Sequence, residues 1–470
     1  MTSAETPENS QHTVPARCPP SATHFGINLL ALAIVLGAMW FLRQHKGRLD
    51  EVLILGGAVA VPVILFDVLV LKVHRRASTG LDWDQVFKPD FGRVATKLLG
   101  LFVTLAPFAV FYWMTPEYNG NFYNPLWVFL RRFALTFAVG IPLYLFIVDG
   151  QMREPRDAYW QLGRVLLGRW PDAKKADIAN HYRGWLVKGF FVPIMFVWLN
   201  GQTHTTVNFN LDNASWSNLS VYEFLYDFIF FIDLLFCTVG YALSLRVTDS
   251  HIRTAEPTML GWAVALFCYP PFYNMFERQY VHYDSGYNFG AFLGPHMTIK
   301  WIWGITILCL ITVYVLGTVA FGIRFSNLTH RGILTNGPYH YTKHPAYVSK
   351  NMSWWLISIP FIVKPDTSPW DSVKHCVALG IINFMYFMRA KTEERHLSRD
   401  PIYVAYGLWM NEHGVLRFIN RIPFLRRLTI YTPPSTAASV EEVERVVKAG
   451  DALYAVAAQP GPPKAPAARD

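Results

Sequence analysis

Residues 324–350 read RFSNLTHRGILTNGPYHYTKHPAYVSK, a polar, aromatic, Gly- and Pro-bearing segment with long apolar runs on both sides. An irregular backbone cannot cross hydrocarbon, because its unpaired N–H and C=O groups find no partner there. The segment must lie at a membrane surface or in a protein-lined cavity. A second polar stretch, residues 389–406 (RAKTEERHLSRDPIYVAY), follows after two further apolar runs. Two polar patches separated by a helical hairpin return to the same face of a membrane, so the spacing predicts one site built from both.

Outward from these patches the composition bounds the fold. The chain has 470 residues, 52% hydrophobic and only 16% charged, against about 25% charged in soluble domains. Apolar runs lie near 25–42, 52–71, 98–115, 126–148, 186–200, 222–245, 258–276, 298–323, 346–363 and 373–390. Several reach the ~20 residues that span a bilayer. The expected fold is an all-α polytopic integral membrane protein of about ten transmembrane helices. The run at 186–200 is short, which leaves open a tilted, re-entrant or longer helix. The expected organisation is a disordered tail at 1–23, a transmembrane region at 24–297, a cytoplasm-facing catalytic region at 298–432, and a disordered tail at 433–470. Within that last tail one short helix should start at Ser439, with Glu442 placed for a capping box.

The net charge of +9 is no nucleic-acid signal, because Lys and Arg concentrate in the connections between apolar runs. Connections 72–97 and 149–185 are rich in them, whereas 116–125 and 201–221 have none. Both termini and 324–345 are therefore expected on the cytoplasmic side of a multi-pass protein, with a bacterial inner membrane as the expected location. Arg43, Lys46 and Arg48 disagree with that alternation. The stretch DAYWQLGRVLLGRW (157–170) reads as an amphipathic helix in the interface. The five scattered cysteines form neither a metal-ligand spacing nor a disulfide framework.

Ionisable residues inside apolar runs are costly and often functional. Asp67, Asp227 and Asp233 are of this kind, and Arg131 with Arg132 begins another run. They read as buried partners for neighbouring helices or as part of a substrate or proton path. Cys268-Tyr269-Pro270-Pro271 interrupts a run, and a double proline frees backbone carbonyls toward a cavity. With Asp249, His251 and Arg253 nearby, it is a candidate substrate entry.

Within the first patch, Gly337-Pro338 makes a turn. Tyr339, Tyr341 and Tyr347 recur around His340, Lys343 and His344, and Pro345 can open a helix. A helix N-terminus beside aromatic rings binds a carboxylate through its N–H groups and an adenine by stacking. An interfacial loop is the plainer reading of the same composition. In the second patch, Arg389 and Glu393 share a helical face while Glu394 points about 100° away.

Gly337-Pro338-Tyr339-x-Tyr341-x-Lys343-His344-Pro345-x-Tyr347, followed by Arg389-x-x-x-Glu393-Glu394-x-x-Leu397, resembles the isoprenylcysteine carboxyl methyltransferase family and the related phospholipid methyltransferases. The usual form is GPYxxxRHPxYxG, then RxxxEExxL and a Tyr-rich continuation, here Tyr403 and Tyr406. The resemblance covers residues 298–418. It implies an S-adenosylmethionine site at the cytoplasmic face and a lipophilic acceptor drawn from the bilayer. By that resemblance Tyr339, His344, Pro345 and Tyr347 line the cofactor pocket, with Gly337, Pro338, Tyr341 and Lys343 completing the cofactor-binding set. Glu394 holds the cofactor, and the catalytic pair Arg389 and Glu393 lies near the acceptor. Two positions depart from the pattern: Lys343 replaces Arg, losing a bidentate fork, and Ser349 replaces Gly. The spans before residue 298 lie outside the resemblance.

The implied chemistry is methyl transfer to a lipophilic acceptor, either a prenylcysteine-type carboxylate or a lipid headgroup, with membrane lipids as surroundings. The in-line geometry needs proximity above all, and an amine acceptor would add a base. One alternative is an NADPH-dependent membrane reductase of the sterol-reductase type. Its signature resembles GWWGxxRHxNYxGD, whereas this chain reads GPYHYTKHPAYVSK and lacks the Trp pair. A non-catalytic lipid-binding membrane protein is the other alternative.

Overall fold

The computed structural model describes residues 14–44, 51–210, 215, 219–276, 288–365 and 368–457. In chain order the first helices are α1 (Phe25–Gln44), α2 (Glu51–Leu65, prolonged by a π turn at Phe66–Val70), α3 (Phe91–Met114), α4 (Pro116–Asn119) and α5 (Asn124–Arg132). Next come α6 (Ala134–Gln151), α7 (Ala158–Leu166), α8 (Lys175–Asn208) and α9 (Ser220–Ala242). Then follow α10 (Met259–Leu266), α11 (Phe272–Phe276), α12 (Phe289–Phe292), α13 (Met297–Phe321) and α14 (Pro345–Ser358). The chain continues through α15 (Pro369–Leu397), α16 (Pro401–His413), α17 (Pro423–Thr429) and α18 (Val440–Ala457). Two short strands, β1 (Thr254–Ala255) and β2 (Thr329–His330), pair antiparallel.

Among the described residues seven helices are long and apolar enough to cross a membrane: α1, α2 with its π turn, α3, α6, α8, α9 and α13. The protein is an all-α, multi-pass membrane protein. Three of the ten expected runs fall outside these seven for local reasons. The run at 258–276 holds only the eight residues of α10 before Pro270-Pro271, and α14 has only 14 residues. The run at 373–390 lies in α15, whose 29 residues include a charged last third. The doubtful run at 186–200 is the middle of α8, which extends for 34 residues.

Helices α1, α2, α9 and α13 pack around one apolar core. Ala31, Val35 and Met39 of α1 face Leu55, Val59 and Val63 of α2, with Val315 and Val319 of α13 beside Phe231 and Leu235 of α9. The four-residue spacing puts each set on one helical stripe, and the small or β-branched side chains let the backbones approach. Helices α3 and α7 cross closer still. A Cβ on Gly100 would sit 1.8 Å from the carbonyl oxygen of Tyr159, and one on Gly163 would sit 1.9 Å from that of Thr96. Thus α7 is the helix expected within 157–170, but it buries Gln161, Leu162 and Gly163 against α3 rather than only lying at an interface. Beside this crossing, Asp149 accepts from Arg93 at 2.6 Å and pairs with the buried Lys97 at 2.8 Å.

Charged side chains lock the connection between α13 and the site. Arg324, 2% exposed, pairs with Asp67 at 3.2 Å, so Asp67 is a buried partner of the kind expected. Arg331 places all its hydrogen bonds on backbone oxygens. Nε donates to Ser250 at 2.5 Å, Nη1 to Gly240 and Phe325 at 2.8 Å, and Nη2 to Leu243 at 2.7 Å and Ile323 at 3.1 Å. Gly240 and Leu243 belong to the end of α9, where carbonyls have no intrahelical partner. One guanidinium therefore closes α9 and fixes the loop that enters the site.

Both tails differ from expectation where they are described. Residues 1–13 lie outside the described residues, but 14–23 strap the 333–336 segment. Ala22 N donates to Ile333 O at 2.8 Å, and Thr335 Oγ1 donates to Pro19 O at 2.7 Å. At the other end the capping box forms as expected, with Ser439 N donating to Glu442 Oε2 at 2.9 Å and Glu442 N to Ser439 Oγ at 3.3 Å. The helix it starts is not a free tail. Ala438 and Val443 are buried against Tyr403, Tyr406 and Tyr431.

Candidate functional site

The polar stretch between α13 and α14 is held by turns its residues dictate. Gly337 adopts φ +56°, and a Cβ there would lie 2.8 Å from the Phe25 ring. Pro338 starts a 3-10 turn over Gly337–His340, and Pro345 occupies the first turn of α14, where its missing N–H costs nothing. The last turns of α15 then bring 389–397 alongside. The two patches meet, as their spacing requires.

Glu394 gathers three nitrogen groups. Lys343 Nζ lies 2.7 Å and His344 Nε2 3.2 Å from its Oε1, and Lys391 Nζ lies 2.8 Å from its Oε2. Burial pushes the Glu394 carboxyl pKa up. The hydrogen bond with His344 and the charge of Lys343 outweigh that and hold it well below the usual carboxylate range. Burial lowers the Lys343 ammonium pKa, with Glu394 opposing it. Lys343, where Arg is usual, is thus an ion-pair partner of Glu394.

Glu393 faces the other way, into a cavity of about 550 Å³. Tyr347 OH donates to its Oε2 at 2.8 Å, and the His344 and Tyr347 rings stack 5.5 Å apart. Arg389 donates to Asn327 Oδ1, and its guanidinium carbon lies 5.2 Å from the Tyr347 ring centre, 5.7 Å from that of Tyr269 and 5.9 Å from that of Tyr386. Such positions suit cation–π attraction. Asn327 Nδ2 donates to Tyr241 OH at 2.6 Å and Tyr269 OH at 2.8 Å, which orients its amide toward Arg389.

Of the residues singled out from sequence, Tyr339, His344, Tyr347, Arg389 and Glu393 line the cavity. Gly337, Pro338, Tyr341, Lys343, Pro345 and Glu394 are not in its wall. The glycine and prolines shape the turn, and Tyr341 is exposed. Glu394, expected against the cofactor, instead anchors Lys343, His344 and Lys391 behind the wall. The 100° separation of the two glutamates decides which of them faces the cavity. Ser349 is buried and donates back to Pro345 O at 2.7 Å, so its side chain does not enter the cavity wall. Tyr406 OH donates to Tyr339 O at 2.5 Å, fixing the backbone behind that ring.

The spans before residue 298 supply much of the remaining wall. Met195, Trp198 and Gln202 come from α8, Asp227, Asp233 and Cys237 from α9, and Cys268, Tyr269 and Pro270 from the proline break. Tyr314 OH donates to Asp233 Oδ2 at 2.6 Å and Thr318 Oγ1 to its Oδ1 at 2.5 Å. Lys350 Nζ lies 4.7 Å from the Tyr314 ring centre. Asn327 and Lys350 lie in the polar 324–350 segment but were not singled out within it, and Tyr269 was marked only through the proline break. Asp249, His251 and Arg253 are absent from the wall, and Asp249 pairs with Arg253 at 3.2 Å. Among the described residues no group of His, Cys, Asp and Glu has metal-holding geometry.

Residues 299–399 match the model of the isoprenylcysteine carboxyl methyltransferase (ICMT) family. Neither the comparison with curated proteins nor that with solved structures gives a match. The matched region spans α13 to the end of α15 and contains both motifs and the two glutamates they place on opposite sides of the cavity wall. Residues 299–399 of this multi-pass membrane protein are thus similar to the isoprenylcysteine carboxyl methyltransferase family, a family of membrane methyltransferases.

Proposed function

We propose that the protein transfers a methyl group from S-adenosylmethionine to a lipophilic acceptor that reaches the cavity from the bilayer. The observation that carries this reading is the wall itself, where Glu393, Arg389 and His344 stand among tyrosine rings at one end of a largely apolar cavity. The donor set suits the cofactor. Arg389 and the first turn of α14 match a carboxylate, Glu393 matches a cationic centre, and Tyr339 and Tyr347 offer faces for stacking. Thr329 Oγ1, buried in the wall without a partner among the described residues, is a further hydroxyl available to a ligand.

S-adenosylmethionine would supply an electrophilic methyl group on a sulfonium. The protein's own groups hold and orient. Arg389 is fixed by Asn327, and Glu393 by the Tyr347 hydroxyl, so neither has to reorganise when a ligand arrives. The apolar wall excludes water, which strengthens each charge contact inside. With a carboxylate acceptor no proton moves. With an amine acceptor Glu393 is placed to take the proton, since among the described residues only its Oε2 is engaged. We assign the site to the cytoplasmic side of an inner membrane, with both termini on that side, on the Lys and Arg content of the 72–97 and 149–185 connections.

The test is transfer of labelled methyl from S-adenosylmethionine into a lipid extract by protein purified in detergent, with Glu393→Gln alongside. Label in an organic-soluble product that disappears in the variant supports the reading. No label with folded wild-type protein counts against it.

A further inference from the structure

The cavity does not end at the glutamate. From His344 at the start of α14 to Lys350, the wall rises by six residues, about 9 Å at 1.5 Å per residue. Lys350 shares the Tyr314 ring with the Asp233 level of α9. From Asp233 to Asp227 the wall continues for six residues more, again about 9 Å. On α8, Met195, Trp198 and Gln202 follow the same stripe, with Met195 O accepting from Thr238 of α9 at 3.3 Å. The cavity wall therefore runs along both α14 and α9, and these two stretches together rise about 18 Å.

The Asp227 end of that wall is not a hydrocarbon pocket. Asp227 is exposed to the cavity and, among the described residues, has neither hydrogen bond nor ion pair. This separates it from Asp233, whose two oxygens accept from Tyr314 and Thr318. The rings of Trp198, Tyr226 and Phe230 and the Gln202 amide line the same cavity as Asp227, with Tyr226 and Phe230 centred 4.9 Å apart. A carboxylate without a counter-charge in a spanning helix is costly and retained for a ligand or a path. A carboxylate beside aromatic faces is the chemistry that recognises an ammonium group.

We propose that Asp227, with Trp198, Tyr226, Phe230 and Gln202, forms a second subsite that holds a cationic nitrogen at the far end of an elongated, lipophilic acceptor. The acceptor is then an amphiphile with polar functions at both ends, its reacting group near Glu393 and its ammonium near Asp227. Calling this ligand the acceptor rests on the methyltransferase reading. The subsite itself does not. The spans before residue 298 would thus set acceptor choice.

The test titrates decyltrimethylammonium and an uncharged analogue with the same chain and a bulky branched head, decyl tert-butyl ether, into full-length protein in phosphatidylcholine nanodiscs, read by tryptophan fluorescence. S-adenosylmethionine binding is measured on the same samples. Wild type should bind the ammonium probe at least ~10-fold more tightly than the ether. Asp227→Asn should lose that preference, Asp227→Glu should keep part of it, and all three proteins should bind S-adenosylmethionine alike. Equal binding of the two probes by wild type, or an undiminished preference in Asp227→Asn, would overturn the subsite. An ammonium preference without S-adenosylmethionine binding would support the subsite and count against the cofactor reading.

Discussion

Replacing Glu394 by Gln removes the one anion on which Lys343, His344 and Lys391 converge at 2.7, 3.2 and 2.8 Å. The Lys391 side chain is 31% exposed, so its loss costs about 0–1 kcal/mol. Lys343 is different, because its side chain is 10% exposed and breaking a buried pair costs ~3–5 kcal/mol. Burial already lowers the Lys343 pKa, so it can shed its proton and recover part of that. A net cost of ~2–4 kcal/mol follows, seen as a fall in Tm on the order of 5 °C. Glu393→Gln keeps an acceptor for the Tyr347 hydroxyl, now at 2.8 Å from Oε2, and should cost under ~1 kcal/mol. Its effect belongs to function, since Glu393 faces the cavity and Glu394 does not. The assay is fluorescence-detected thermal unfolding in detergent, run beside labelled-methyl transfer. A Glu394→Gln protein that melts with wild type, paired with a Glu393→Gln protein that is destabilised but fully active, would refute this division of labour.

Two further outcomes follow from buried groups, Arg331 behind the cavity and His396 in its wall. Arg331→Met removes a donor from five backbone oxygens, of which Leu243 O also accepts from Ser250 Oγ. Leaving even three of them unpaired costs on the order of 3–5 kcal/mol, so the variant should melt well below wild type in the same assay, with Arg331→Lys in between. His396 is 5% exposed, and burial, with His330 and Arg399 adding, pulls its pKa from 6.5 to about 3. Below pH 6.5 the unfolded chain therefore takes up a proton that the folded protein refuses until about pH 3. Stability should fall as pH drops through that window, by up to about 1.4 kcal/mol per unit. His396→Gln should flatten the acid limb of a Tm-against-pH curve, and an unchanged slope would contradict the assignment.

The membrane class and the meeting of the two polar patches were legible because both rest on local rules. Apolar runs of spanning length and an irregular backbone that hydrocarbon excludes suffice for the first. A helical hairpin between the patches suffices for the second. The opposite facing of Glu393 and Glu394 was legible too, from the 100° step of a helix. What each glutamate touches was not, because Lys343 and His344 reach Glu394 only once α14 and α15 are packed. Apolar runs fall short of a continuous spanning helix where length and polarity compete. The apolar stretch within α15 is followed by RAKTEERHL in the same helix, and Pro270-Pro271 cuts short the run that holds α10. The tails misled for a different reason. Pro- and Ala-rich composition signals a weak core, yet Pro19 and Ala22 act through backbone groups, and Ala438 fills a gap that larger residues of α16 leave. Asn327 and Arg331 carry no pattern at all, since their partners are backbone oxygens and tyrosines from distant helices.

The most direct measurement is a parallel titration of S-adenosylmethionine and NADPH against detergent-purified protein, with Glu393→Gln and Tyr347→Phe as comparisons and Tm as the check on folding. Saturable binding of S-adenosylmethionine at one site, weakened at least ~10-fold in Glu393→Gln, and no binding of NADPH are the expected results. Saturable NADPH binding, or no S-adenosylmethionine binding by protein that melts cooperatively, would contradict the cofactor reading.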